Sequence, residues 1–401
     1  MINIISYLHR DELRDLISRW MVDKAEPSDA VRLARMILFN QEYVSRYLKW
    51  FAADLFREFH GPDLTTRNIT EKGELKDLII LNPPYHNGRI DMLIRQYREQ
   101  PGRYYRETPF QGTLFCKGVW DQATYVGSTR IKRIRRLAEK SARLITDQVF
   151  RDIKRQADAL AEERARQLGV SRIQLVTPPE EMLEEFLEAE NHILERLAST
   201  RQLTEMPTLN INDVAGIKII TEDDRYHKLL DCIAERLKCE IVEEEQHTGI
   251  YNATNLIVQL RPPSGSVLAK TLSDKRLLYY LVQHGIGPDE ADRMFQEFVN
   301  TGESSVYLEI IAINYQENLE SEIGRCIHED RIIEQRHGKQ YRGHLAKNIE
   351  YLMEYLFTFP SSGKAEIGEL PIKLWNRYLP DYFDEVMKRL FHLRNGCPDF
   401  T

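Results

Sequence analysis

Asn212-Asp213-Val214-Ala215-Gly216-Ile217-Lys218-Ile219-Ile220 sets a carboxylate immediately ahead of an apolar, β-branched run. Such a run favours an extended, buried segment, so it predicts a strand with Asp213 at its edge and Lys218 on the face opposite the core. A carboxylate at that place is either a metal ligand or a turn former, since Asn-Asp is common turn chemistry. Working outward, the same patterning predicts strands at 123–127, closed by Gly127, and at 239–242, leading into Glu243-Glu244-Glu245. A glycine turn at Gly249 then carries Tyr251 into the apolar run 256–260, and 306–311 is a strand with Glu309 among apolar neighbours. Burying a carboxylate unpaired costs several kcal/mol, which marks Glu309 as a residue with a partner or a role.

Around these strands the apolar spacing is helical. Leu13, Leu16, Ile17 and Trp20, then Val31, Leu33, Met36 and Ile37, recur every three or four residues and predict a helical region over 1–111. Asn82-Pro83-Pro84-Tyr85 in that region is similar to a four-residue motif of adenine methyltransferases, but no glycine-rich cofactor loop precedes it, and it is read as a Pro-Pro loop ending a strand. After Gly127 a helix is expected to carry Arg130, Lys132, Arg133, Arg135, Arg136 and Lys140, with three cations converging on one polyphosphate; a solvated basic face is the other reading. Residues 141–205 read as a helical hairpin whose second arm opens on a capping box, Thr177-Pro178-Pro179-Glu180, and sets Leu183, Phe186, Leu187, Ile193, Leu194 and Leu197 against a glutamate-rich face. Packing on the first arm or serving as an arm for a partner both suit that pattern. A second helical insertion spans 264–302, and 336–401 is a C-terminal helical region.

With 401 residues, 42% hydrophobic and 29% charged, the chain has room for two or three domains with sizeable cores. A net charge of −7 argues against a protein that coats nucleic acid and leaves polyanions only a local patch. The five cysteines (Cys116, Cys232, Cys239, Cys326, Cys397) lack metal-site spacing and predict free thiols. No membrane-span length of apolar sequence and no signal-peptide pattern is present, which predicts a cytoplasmic protein with no membrane partner.

In order, these pieces resemble the synthetase domain of RelA/SpoT-type alarmone synthetases, which transfer pyrophosphate from ATP to the 3′-hydroxyl of a guanosine nucleotide. Arg130, Lys132 and Lys140 resemble the family's Arg-x-Lys signature and its following Lys; Asp213-Val214-Ala215-Gly216-Ile217-Lys218 resembles its Asp-x-x-Gly-x-Arg strand. The turn from Gly249 to Asn255 resembles Gly-Tyr-x-Ser-x-His, and the strand from Glu309 resembles Glu-x-Gln-x-Arg. The resemblance implies ATP phosphates on Arg130, Lys132 and Lys140 with Arg136 beside them, Mg²⁺ on Asp213 and Glu309, and a base stacked on Tyr251. Strands separated by helices, with helical regions at both ends, point to an α+β fold, a mixed β-sheet, nucleotidyltransferase-like core over 112–140 and 206–335 embedded in a mostly helical protein, as the resemblance also implies. The chain departs from the pattern at Arg136 for Ser, Lys218 for Arg, Asn255 for His, and Ile311 and Ile313 for Gln and Arg. Those departures also suit a catalytically inactive descendant that binds a nucleotide or a protein partner, and a helical scaffold without a nucleotide site is a further reading.

One departure bears on the acceptor. Where the family carries lysines for the acceptor's phosphates, this chain has Glu243, Glu244 and Glu245, the wrong sign for a di- or triphosphate. The expectation is an acceptor poorer in phosphate, such as a nucleoside monophosphate or the 3′ end of a nucleic acid such as tRNA, unless Lys270 or Lys275 supplies the missing charge.

Overall fold

The computed structural model describes residues 1–392 other than 204–205, 250, 264, 269–270, 339–340 and 365. Nine strands are present among them: β1 (Ile2–Ile4), β2 (Leu64–Glu71), β3 (Pro109–Lys117), β4 (Thr124–Ile131), β5 (Leu209–Ile211), β6 (Ala215–Ile220), β7 (Glu240–His247), β8 (Ala253–Leu260) and β9 (Val306–Ile313). Seven form one sheet in the order β2-β3-β4-β6-β9-β8-β7, while β1 and β5 pair in parallel as a separate ribbon. Only β6 and β9 run parallel within the large sheet, and its other neighbours are antiparallel. The chain is therefore a mixed α+β protein, as the strand and helix patterning predicts.

Period-2 alternation gives the sheet two different faces. Ile217 and Ile219 of β6, Leu256 and Val258 of β8, and Leu308 and Ile310 of β9 are all buried in the larger core, which also takes in helix Asn40–His60. That helix comes very close at Gly127, where an added Cβ would lie 2.5 Å from the Phe56 ring and 2.3 Å from the Lys218 carbonyl oxygen. The glycine read as the end of a strand is thus a point of contact inside one, and β4 runs on to Ile131. The other face is apolar where helices Lys72–Ile79 and Gly88–Glu99 and the turn of helix Tyr315–Leu319 cover it with Leu75, Ile90, Ile94 and Tyr315. Elsewhere this face is polar.

Several local expectations are revised. Residues 1–111 hold β1, β2 and the start of β3 as well as helices; exposed edge-strand residues of β2 such as Arg67 and Asn68 give no apolar alternation to read. Asn82-Pro83-Pro84-Tyr85 follows helix Lys72–Ile79 and not a strand. Arg130 lies on β4 and Lys132 just after it, ahead of a helix that starts at Ile134 and continues unbroken to Gln167. The predicted boundary at 140/141 falls within this helix, which packs on helices Pro179–Thr200 and His344–Thr358. The capping box does not form: Thr177 Oγ1 instead accepts a hydrogen bond from Arg164 Nη2 at 2.6 Å, and Pro178 precedes the helix without a side-chain cap. Strand β7 runs on past the predicted 239–242 through the acidic run to His247. Cys116, Cys232, Cys239 and Cys326 are free thiols, whereas Cys397 and Lys270 lie outside the described residues. Among the described residues no helix is long and apolar enough to cross a membrane.

Candidate functional site

The register of the sheet lines up the residues singled out in the sequence. Arg130 of β4 lies opposite Gly216 of β6, Gly216 opposite Glu309 of β9, and Glu309 opposite Ile257 of β8, so Arg130 and Glu309 share a face on either side of a residue with no side chain. The Glu309 carboxylate leans over that gap, since a methyl group at Gly216 would sit 3.7 Å from Glu309 Oε2. The adjacent row on the same face is Ser128, Lys218, Ile311 and Asn255.

Asp213 is held at the mouth of this arrangement by the connection from β5 to β6. Its neighbour Val214 accepts a backbone hydrogen bond from Lys132 at 2.8 Å, which ties that connection to the end of β4. Asp213 Oδ2 lies 2.9 Å from Lys132 Nζ, and Oδ1 accepts from Lys140 Nζ at 2.8 Å. Burial alone would push the Asp213 carboxyl up, but Lys132 and Lys140, with Arg130 beyond, outweigh it and hold the group well below the usual carboxylate range. Burial brings the Lys132 ammonium down to about 8 against the opposing pull of Asp213. For Glu309 the balance goes the other way: burial raises its pKa, Arg130 opposes, and the nearby Asp213 charge adds to the rise. Charge and burial thus shift the two carboxyls in opposite directions, Asp213 down and Glu309 up. Arg130 makes no side-chain hydrogen bond or ion pair with another described residue within the standard distances.

The predicted convergence of cations is met in part. Lys132 and Lys140 converge, but on Asp213; Arg136 turns away to pair with Glu139, which also takes Arg336 at 2.8 Å. Tyr251 is mostly enclosed, its ring 6.0 Å from the His247 ring and edge-on to His328 at 5.8 Å, and its buried hydroxyl has no partner. Asn255 Nδ2 reaches Glu309 Oε1 at 3.5 Å, leaving Asn255 Oδ1 buried and unpartnered. Strand β7 brings Glu243 opposite Ile257 and Glu245 opposite Asn255, on the Glu309 face, while Glu244 points the other way and accepts from the Tyr226 hydroxyl at 2.9 Å.

Behind this site lies a charged network that sequence patterning did not reveal. Lys218 faces away from the main core as expected, yet it is only 11% exposed, its Nζ 2.7 Å from Glu322 Oε1, and Lys72 Nζ is 2.6 Å from Glu322 Oε2. Glu329 lies 3.6 Å from Lys72 and 3.5 Å from Lys76, whose ammonium also donates to the Tyr104 carbonyl at 2.6 Å. The two lysines on Glu322 respond differently. Burial lowers Lys218, whereas Glu322 and Glu329 together overcome burial and raise Lys72. His328 is lowered well below its usual value by burial and by the Lys218 charge, so it is a neutral ring beside Tyr251. No sequence signal links Glu322 to lysines so distant in the chain, and it stands in a polar run, Glu320-Ser321-Glu322, that gives no hint of burial.

Among the described residues no group of three or more His, Cys, Asp or Glu side chains is arranged to hold a metal ion. No protein-family model matches the chain, and no curated protein or solved structure is significantly similar to it.

Proposed function

We propose that the chain transfers a pyrophosphoryl group from ATP to a hydroxyl of a nucleotide or nucleic-acid acceptor, in the manner of an alarmone synthetase. The observation that carries this reading is the assembly of Arg130, Lys132, Lys140, Asp213 and Glu309 at the junction of β4, β6 and β9. Lys132 and Lys140, with Arg130, suit the phosphate oxygens of the donor, and a carboxylate of raised pKa suits proton transfer. The acceptor hydroxyl oxygen bonds to the β-phosphorus of ATP, the bond from that phosphorus to the α–β bridging oxygen breaks, AMP leaves, and Glu309 takes the hydroxyl proton. Once phosphate draws Lys132 and Lys140 away, Asp213 and Glu309 would hold a Mg²⁺ ion, which would neutralise charge on the transferred group. Neutralising both, as Lys132→Gln with Lys140→Gln, is expected to weaken ATP binding about tenfold or more by calorimetry. An unchanged Kd would make these lysines counter-ions of Asp213 and nothing else.

Glu243 and Glu245 on the Glu309 face support an acceptor poor in phosphate. Incubation with labelled ATP and a panel of GTP, GDP, GMP, adenosine nucleotides and tRNA tests both points. Label is expected on a monophosphate or an RNA end; preferential labelling of GDP or GTP would overturn the acceptor, and no labelling at all the transfer. A second reading, a nucleotide-binding descendant without activity, draws support from the occupation of both Asp213 oxygens by lysines and from Ile313 buried in apolar packing where the family has an arginine.

A further inference from the structure

The helical hairpin ends in a tip that its own chain leaves bare. Phe186 of helix Pro179–Thr200 turns inward, 5.9 Å from the Phe150 ring and 6.0 Å from that of Tyr341, and Ile193, Leu194 and Leu197 are buried behind it. Leu183 and Leu187, read from the sequence as part of that same face, point outward instead, 59% and 46% exposed. Ile173 and Val176, in the connection between the two arms, are 98% and 90% exposed, and Leu168 and Met182 beside them are 63% and 51% exposed. Large apolar side chains scattered singly need no explanation, but these six within residues 168–187, around the connection between the two arms, mark an interaction surface.

Charge selects the partner. Residues 158–188 carry eight carboxylates and three arginines, a net −5, against −7 for the whole chain. The three arginines are already engaged within the hairpin: Arg164 with Glu185 at 3.3 Å, Arg166 with Glu163 at 2.7 Å and Arg172 with Asp158 at 3.6 Å. Glu162, Glu180 and Glu184 remain exposed around the apolar tip. A second copy would bring the same negative charge against this one, and anionic lipid or nucleic acid would be repelled in the same way. We propose that the hairpin tip docks a protein partner that presents a basic, apolar surface, such as a cationic amphipathic helix, with Ile173, Val176, Leu183 and Leu187 as its apolar contacts and the surrounding glutamates as its charge contacts.

The test uses the full chain and a synthetic amphipathic helix of leucine and lysine as probe, followed by calorimetry. Binding is expected, weaker at about 300 mM than at about 50 mM salt because the charge contacts are screened. The triple variant Ile173→Ser, Val176→Ser, Leu183→Ser is expected to lose at least tenfold in affinity with an unchanged Tm, since all three side chains are exposed. No binding of the probe, equal affinity of the triple variant, equal binding of a leucine–glutamate helix, attachment to phosphatidylserine vesicles, or dimers in sedimentation would each overturn the proposal.

Discussion

Glu309→Gln is expected to lower turnover on ATP and its acceptor by a factor of about 10²–10⁴, the usual contribution of a positioned base, while the protein folds at least as stably as before. The two halves of that result have one cause. Burial disfavours the charged Glu309 and raises its pKa, so the folded state is relieved when the charge is removed, and the same desolvation makes the carboxylate a better base. Because the base works ionised, the acid limb of the pH–rate profile should lie above the 4.5 of an ordinary glutamate. Asp213→Asn separates from it by stability: it strips the counter-ion from Lys132 and Lys140 and should cost about 2 kcal/mol as well as activity, the pair being only partly buried. Wild-type turnover in purified Glu309→Gln protein would remove the residue from the chemistry.

Glu322→Gln is expected to have the largest effect on stability, about 3–5 kcal/mol, read as a lowered urea midpoint. Glu322 is 1% exposed and links Lys218 from the sheet to Lys72 from the helix that covers it, so its loss strands the Lys218 ammonium and leaves the buried Lys72 only Glu329 at 3.6 Å. Adding Lys218→Met should recover part of the loss, because an apolar side chain of similar length replaces one stranded charge. Burial would raise the Glu322 carboxyl, but Lys218 and Lys72 outweigh it and hold it well below 4.5. Its contribution is therefore complete above pH 4.5, the unfolded value, and is lost as pH falls through the lower folded value. Acid titration of wild type and Glu322→Gln should accordingly converge below pH 4.5. An unchanged urea midpoint at neutral pH would mean that the lysines find other partners.

The strands β6, β8 and β9 and the helical arms were legible because their side chains repeat every two or every three to four residues and their apolar faces are buried. Asp213 and Glu309 stood out for the same local reason, carboxylates at or within apolar strands. Strand β2 was not legible, since an edge strand with one exposed face carries little apolar signal. Only the start of the basic run was misplaced on a helix, because positive charge has no period of its own: Arg130 belongs to β4, and Lys132 and Arg133 follow it. Arg135, Arg136 and Lys140 lie on the helix, Lys132 and Lys140 closing on Asp213 and Arg136 on Glu139.

The sequence by itself determined an α+β chain, its strand carboxylates and its basic run, all properties that each segment carries in its own pattern. Only the tertiary structure decided that Arg130 and Glu309 flank Gly216 and that Asp213 neutralises two lysines. It alone joined Lys72, Lys218 and Glu322 into one buried ion network. Sheet register and ion pairing join residues tens to hundreds of positions apart, and their energies depend on burial and on the nearest opposite charge, neither of which a linear pattern contains.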